Sequence, residues 1–264
     1  MKRIIQVFMM LILVLVVSAC SEGEGASEGE NVLERVKESG VLRVGIEGTY
    51  QPFNFLNDNN EYAGFDIDIA NDLADRLGVE TEFVATKWDS LIGGLKADKF
   101  DIIIAQMTVT EERKKSVDFT DPYVVTGSVL IANEGSSGIS KLEDIKGKKV
   151  GVGGGTTFEE VANSVDGADV VLYKAVNDYI QDLINGRLDV IINDQLLMSY
   201  NIKNEDLPLE IVSDVVNKDE IGMAVKNNSD EFVTELNGLL AEMIEDGTYD
   251  EIYKKWFDSE PLVK

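Results

Sequence analysis

Histidine is absent from all 264 residues, and cysteine occurs once, as Cys20. The first absence removes His-based triads, imidazole metal ligands and the commonest general base near neutral pH. The second leaves no thiol nucleophile once Cys20 is given the role argued below. Cations are scarce as well: 24 Lys and Arg face 49 Asp and Glu, a formal net charge of −25. Such a chain cannot neutralise a phosphate backbone, which argues against nucleic acid as a partner. Anionic lipid would repel it too. Beyond the N-terminus no apolar run approaches the roughly 20 residues of a membrane span. No metal and no cofactor is expected.

The N-terminus reads as an address. Lys2 and Arg3 precede an apolar run from Ile4 to Val17, broken only by Gln6, and small residues then lead to Cys20. This is the pattern of a signal peptide over residues 1–19. "VSAC" (residues 17–20) fits a bacterial lipoprotein box, in which Cys20 is lipidated and becomes the mature N-terminus. "SEGEGASEGE" (residues 21–30) has no apolar anchor and reads as a flexible acidic tether, so residues 20–30 are the lipidated cysteine and its linker. Losing Lys2 and Arg3 leaves 24 − 2 = 22 bases against 49 acids, a net charge of −27. The lipid, not the surface, would hold this protein to the membrane.

About 230 residues remain, enough for one large domain or two lobes. Strand-like and helix-like segments alternate through them. Residues 42–46 read as a strand after a short helix ending at Gly40, 65–78 as a helix ending at a glycine, 81–85 as a strand and 90–97 as a helix. "FDIIIA" (100–105) is continuously apolar, as for a strand covered on both faces. Strands near Val150, Val170, Val190 and Ile221 and helices at 159–164, 177–185, 195–200 and 230–245 repeat the scheme. The class is α/β with mostly parallel strands. Two echoes divide it. "LKADKFDIII" (95–104) matches "LINGRLDVII" (183–192), and "VGIEGT" (44–49) matches "VGVGGGT" (150–156). Two lobes of similar topology, each offering strand ends to the other, would enclose a cleft, since open α/β sheets bind ligands beyond the carboxyl ends of their strands.

One lobe offers "GTYQPF" (48–53), "TKWDS" (86–90) and "AQMTVTEERKK" (105–115); the other offers "GVGGGTT" (151–157) and "IINDQ" (191–195). A glycine run between a strand and an acidic helix favours an anion. It fits neither nucleotide fingerprint, however: no lysine follows Gly155, and Thr156 stands where the dinucleotide pattern needs glycine. A turn without ligand is the plain alternative, and the loop carries no cation nearby for a phosphate.

With Y-x-P-F, G-F-D-I-D, T-x-T-x-x-R and the terminal K-K-W-F (254–257) in this order, the chain from about Val32 onward resembles the extracytoplasmic amino-acid-binding proteins of ABC importers. "IEGTY", "TKWD" and "VGVGGGTTFEE" look most like the cystine-binding members. The resemblance implies a two-lobed periplasmic-binding-protein type II fold, each lobe a mostly parallel sheet flanked by helices. Residues 31–124 plus 221–264 would form lobe 1 and residues 125–220 lobe 2, joined by a two-strand hinge near 123–127 and 217–221. It also implies roles. Arg113 would clamp the ligand's α-carboxylate with a planar fork. Thr108 would add a hydroxyl and Gln106 a backbone carbonyl. The amides of Thr156 and Thr157 would hold the carboxylate, which makes that group the anion of the glycine loop. Asp194 would meet the α-ammonium, or serve only as a helix cap. Tyr50 and Trp88 would cover the side chain, and Glu47 would face a distal donor. Cystine fits, as do glutamine, arginine and lysine. Trp256 is expected to be structural. The implied protein is a non-enzymatic monomer outside the cytoplasmic membrane, lipid-anchored, that delivers a free amino acid to an ABC permease. The rivals are a dehydratase of the cyclohexadienyl type, with Glu47 as acid or base, and a receptor's sensor domain.

Overall fold

The computed structural model describes residues 31–257 and 259–263, so the signal, Cys20 and the tether lie outside the described residues. Helix α1 (Val32–Ser39) starts where the Asn31 side chain accepts from the amides of Leu33 and Glu34, and it ends at Gly40 in the left-handed region. Strand β1 (Val41–Ile46) follows, then three short strands, β2 (Thr49–Tyr50), β3 (Asn54–Leu56) and β4 (Tyr62–Ala63), paired antiparallel in a small sheet. Helix α2 (Phe65–Leu77) buries Ile69 and Leu73 one turn apart and stops at Gly78. Then come β5 (Glu80–Ala85), α3 (Leu91–Lys96), β6 (Ile102–Ile103) and β7 (Val117–Phe119).

The long strand β8 (Val124–Asn133) leads to the second sheet. There β9 (Lys149–Gly153), α4 (Thr157–Asn163), β10 (Asp169–Tyr173), α5 (Val176–Ile184), β11 (Val190–Asp194), α6 (Gln195–Asn204) and β12 (Leu209–Ile211) succeed one another. Strand β13 (Asn217–Ile221) returns the chain to β14 (Ala224–Lys226), α7 (Asp230–Asp246) and α8 (Thr248–Trp256).

The first sheet runs β5-β1-β6-β14-β7 and the second β10-β9-β11-β8-β12, with β13 also on β8. In each, the first three strands are parallel and one strand, β14 in the first sheet and β8 in the second, runs against them and pairs antiparallel with all its neighbours. The reversed strands are those at the two crossings: β8 is the outgoing crossing itself, and β14 follows the returning one, β13. The sequence echoes are thereby explained. "VGIEGT" and "VGVGGGT" carry the central strands β1 and β9, while the second pair carries β6 and β11, each third in its order. "FDIIIA" pairs as a strand only at Ile102–Ile103, although Asp101 and Ile104 still bond β1 through Arg43 O and Gly45 O. The Asp101 side chain accepts from Arg35 and Arg43, each at 2.6 Å, and Gln106 turns the chain at φ 54.

The crossings pair with each other from Val124↔Ile221 to Ser128↔Asn217. Gly127 permits this approach: a Cβ there would lie 2.3 Å from a Val215 methyl and 2.8 Å from Asn217 O. Tyr123, just before β8, is anchored in the first sheet's core. Its ring stacks on Phe65 at 6.2 Å, and its carbonyl accepts from Tyr249 OH at 2.6 Å. Trp256 lies away from the strand ends, donating to Asp68 at 2.6 Å and packing edge-on against Phe55. Among the described residues no helix is long and apolar enough to cross a membrane.

Candidate functional site

A cleft lies where the carboxyl ends of β1, β6, β9, β10 and β11 converge. Its walls contain all nine residues singled out from the sequence: Glu47, Tyr50, Trp88, Gln106, Thr108, Arg113, Thr156, Thr157 and Asp194. The two sheets meet across it through direct bonds. Thr108 Oγ1 lies 3.4 Å from Thr157 Oγ1, and Tyr50 OH donates to Asn193 Oδ1 at 2.8 Å. Trp88 Nε1 donates to Gly155 O at 3.1 Å.

Arg113 stands on a short 3-10 turn beyond β6. Its Nη1 donates to Thr108 O at 2.7 Å and its Nη2 to Gly155 O at 3.3 Å. Its guanidinium carbon sits 5.2 Å from the centre of the Trp88 ring. Burial lowers its pKa, and the charges of Glu160 and Asp219 oppose that shift. This placement corrects one expectation. The glycine loop has no cation near it in sequence, yet folding lays Arg113 against it. The two belong to different sheets, so only a contact across the cleft could join them.

The loop is built by its own side chains. Gly155 turns at φ 74, and Thr156 caps α4, donating to Gly153 O at 2.7 Å and accepting from Glu159 N at 3.4 Å. The Glu159 carboxylate takes the Gly155 amide at 2.7 Å. The amides of Thr156 and Thr157 occupy the cap and first helical positions, which have no acceptor within the helix.

Asp194 is a helix cap that also faces the cleft. Its Oδ1 accepts from Leu197 N at 2.9 Å, capping α6, while the carboxylate also lines the cleft. Burial pushes its pKa up to about 6. Glu47, just past β1, is pushed up to about 7 by burial, and its bond from the Thr49 hydroxyl is long, at 3.4 Å. Gln106 adopts a left-handed backbone, rare for a residue with a Cβ. Its Nε2 donates to Asp66 Oδ1 at 2.8 Å and to Tyr123 OH at 3.1 Å. Asp66, fully buried, also accepts from Tyr123 OH at 2.8 Å and Asn54 Nδ2 at 2.7 Å. Asn54 Oδ1 in turn holds the amides of Glu47 and Gly48. One buried carboxylate thus ties together three segments that reach the cleft or its hinge.

The sequence reading missed Asp219, Tyr173, Lys174 and Tyr179, which also line the cleft. Asp219 lies on the returning crossing and is 2% exposed, accepting from Ser128 Oγ at 2.8 Å and Asn217 Nδ2 at 3.2 Å. In the string "NKDE" it looks like any solvated acid. Tyr179 looks like the apolar face of α5, and its hydroxyl accepts from Asn193 Nδ2 at 2.6 Å.

Residues 42–259 match the family described as bacterial extracellular solute-binding proteins, family 3. The L-cystine-binding protein TcyJ of Escherichia coli (strain K12) is 37% identical over 257 residues, covering 97% of this chain and 96% of its own length. A solved structure of an ancestral arginine-binding protein bound to arginine is similar at TM-score 0.79 and 41% identity, over 83% of this chain and 98% of that one. The ancestral amino acid-binding protein AncCDT-1, a precursor of cyclohexadienyl dehydratase, is similar at TM-score 0.81 and 37% identity, over 86% and 99%.

Proposed function

The chain belongs to family 3 of the bacterial extracellular solute-binding proteins, and from that premise we propose that it captures a polar amino acid, cystine foremost, and delivers it to an ABC permease. One observation carries the reading: Arg113 and Asp194, a guanidinium and a carboxylate from different sheets, line one cleft. A zwitterion bridges them, its α-carboxylate on Arg113, Thr108 and the amides of Thr156 and Thr157, its α-ammonium on Asp194 and the Gln106 carbonyl. Glu47, Tyr50 and Trp88 receive the side chain. The similarity to an L-cystine-binding protein supports cystine; the arginine-bound relative supports a basic amino acid as the alternative, with glutamine the third ligand that the distal acid suits.

Residues 31–124 with 221–264, and residues 125–220, act as lobes about the paired crossings, the ligand binding the first before the second closes. A lipid on Cys20 keeps this monomer at the outer face of the membrane. A second reading draws on Glu47, whose pKa of about 7 suits a general acid or base, and on the kinship with a dehydratase precursor. Binding is preferred because the zwitterion clamp is complete without chemistry.

The test is a thermal shift on the protein lacking residues 1–29, stripped of ligand. A hundredfold excess over Kd adds about 2.7 kcal/mol, or about 5–10 °C for a chain of this size. A shift with cystine that is lost in Arg113→Ala establishes the reading. Shifts with glutamine or arginine alone replace the ligand, and turnover of a cyclohexadienyl acid without any amino-acid shift would install the enzyme.

A further inference from the structure

The cleft is unevenly charged. Three carboxylates, Glu47, Asp194 and Asp219, line it against two cations, Arg113 and Lys174. Arg113 is engaged by two carbonyls and an indole ring. Lys174 is exposed, and among the described residues its ammonium makes no ion pair or hydrogen bond. It is the first residue after β10 and is held in place by its neighbours. Tyr173 O accepts from Gly154 N at 2.9 Å, which ties this strand end to the glycine loop. The Tyr173 ring packs 5.7 Å from that of Tyr179, and the Tyr179 hydroxyl in turn feels the charge of Glu47. Lys174 and Glu47, a base and an acid from different sheets, line the same cleft as this pair of phenols.

Ligand chemistry can be sorted by what it offers this second pair. An amino acid with a neutral end leaves Lys174 without a counter-ion. One ending in an ammonium or guanidinium satisfies Glu47 but brings like charge to Lys174, a repulsive element against that ligand. A ligand with a second amino-acid head satisfies both, its far ammonium on Glu47 and its far carboxylate on Lys174. We propose that Lys174 is a specificity determinant that selects double zwitterions, molecules with an α-amino acid at each end, over basic amino acids. The inference rests on the amino-acid-binding reading above and adds to it the charge pattern of the distal half.

Titration calorimetry of the wild-type protein and Lys174→Met, each with cystine and with arginine, tests it. Lys174→Met should weaken cystine binding by about threefold to tenfold, between an exposed ion pair and a charge-assisted bond, and should leave arginine unchanged or tighter. Lys174→Arg should retain cystine, and the wild-type preference should shrink as salt rises. A merely structural lysine would move both ligands together, and that result, or no change for either, overturns the assignment while amino-acid binding stands. Failure of the wild type to bind any amino acid would instead overturn the underlying reading, and the assignment with it.

Discussion

Glu47 offers the sharpest test of the site's electrostatics. Burial raises its carboxyl to about 7, and an ammonium from the ligand needs it ionised. The sign follows from linkage. Acid protonates the group and removes the partner, so affinity falls below the folded pKa and levels above it. With apparent affinity scaled by the ionised fraction, Glu47 alone predicts a rise of about fivefold from pH 6 to pH 7. Asp194, held at about 6, ionises over the same interval. It adds about twofold, giving about tenfold in all, or ~1.4 kcal/mol. Calorimetry with cystine at both pH values would read this, and buffers of different ionisation heat would show about half a proton released per ligand at pH 7. Glu47→Gln should keep only the twofold part. A flat profile in the wild type, or the full slope in Glu47→Gln, would refute the assignment of Glu47 to a distal cation.

Two predictions concern the scaffold. Asp66→Ala removes the one acceptor that the Tyr123 hydroxyl and Asn54 Nδ2 have among the described residues, while Gln106 Nε2 keeps Tyr123 OH at 3.1 Å. Two buried donors orphaned at roughly 1–3 kcal/mol each, less the relief of a buried carboxylate without a cation, give a loss of about 3 kcal/mol. Urea denaturation should show it, and a loss below about 1 kcal/mol would mean that the network is not what holds these segments. Gly127→Ala forces a Cβ against the partner crossing. It should lower stability by about 1–3 kcal/mol in a thermal melt, and an unchanged melting point would show that the crossings separate freely.

Much of the fold was legible because its signals are local. Glycines at 40 and 78 end helices in the conformation that glycine adopts most easily. Apolar spacing gave α2 and α7, and the paired echoes gave two sheets whose equivalent strands occupy equivalent places. The reversal of β8 and β14 was not legible in this way. A strand's direction is set by how the chain arrives, and neither crossing, one largely apolar and one largely charged, names its partner in sequence. "FDIIIA" shows the same limit, since only Ile102 and Ile103 pair with a strand on each side, β1 and β14, and nothing local marks those partners.

The chain by itself determined which chemistries are available: no imidazole, one cysteine, few cations, and a short set of loops bearing an arginine, a strand-end aspartate and a glycine run. Composition and local motif fix these because they need no neighbour. Tertiary structure decided the rest. It set Arg113 against a loop from the other sheet, buried Glu47 enough to carry its titration to neutral pH, and brought Asp219 and Lys174 to the same wall. Charge proximity and desolvation are properties of space rather than of order along the chain, so only the folded cleft could reveal them.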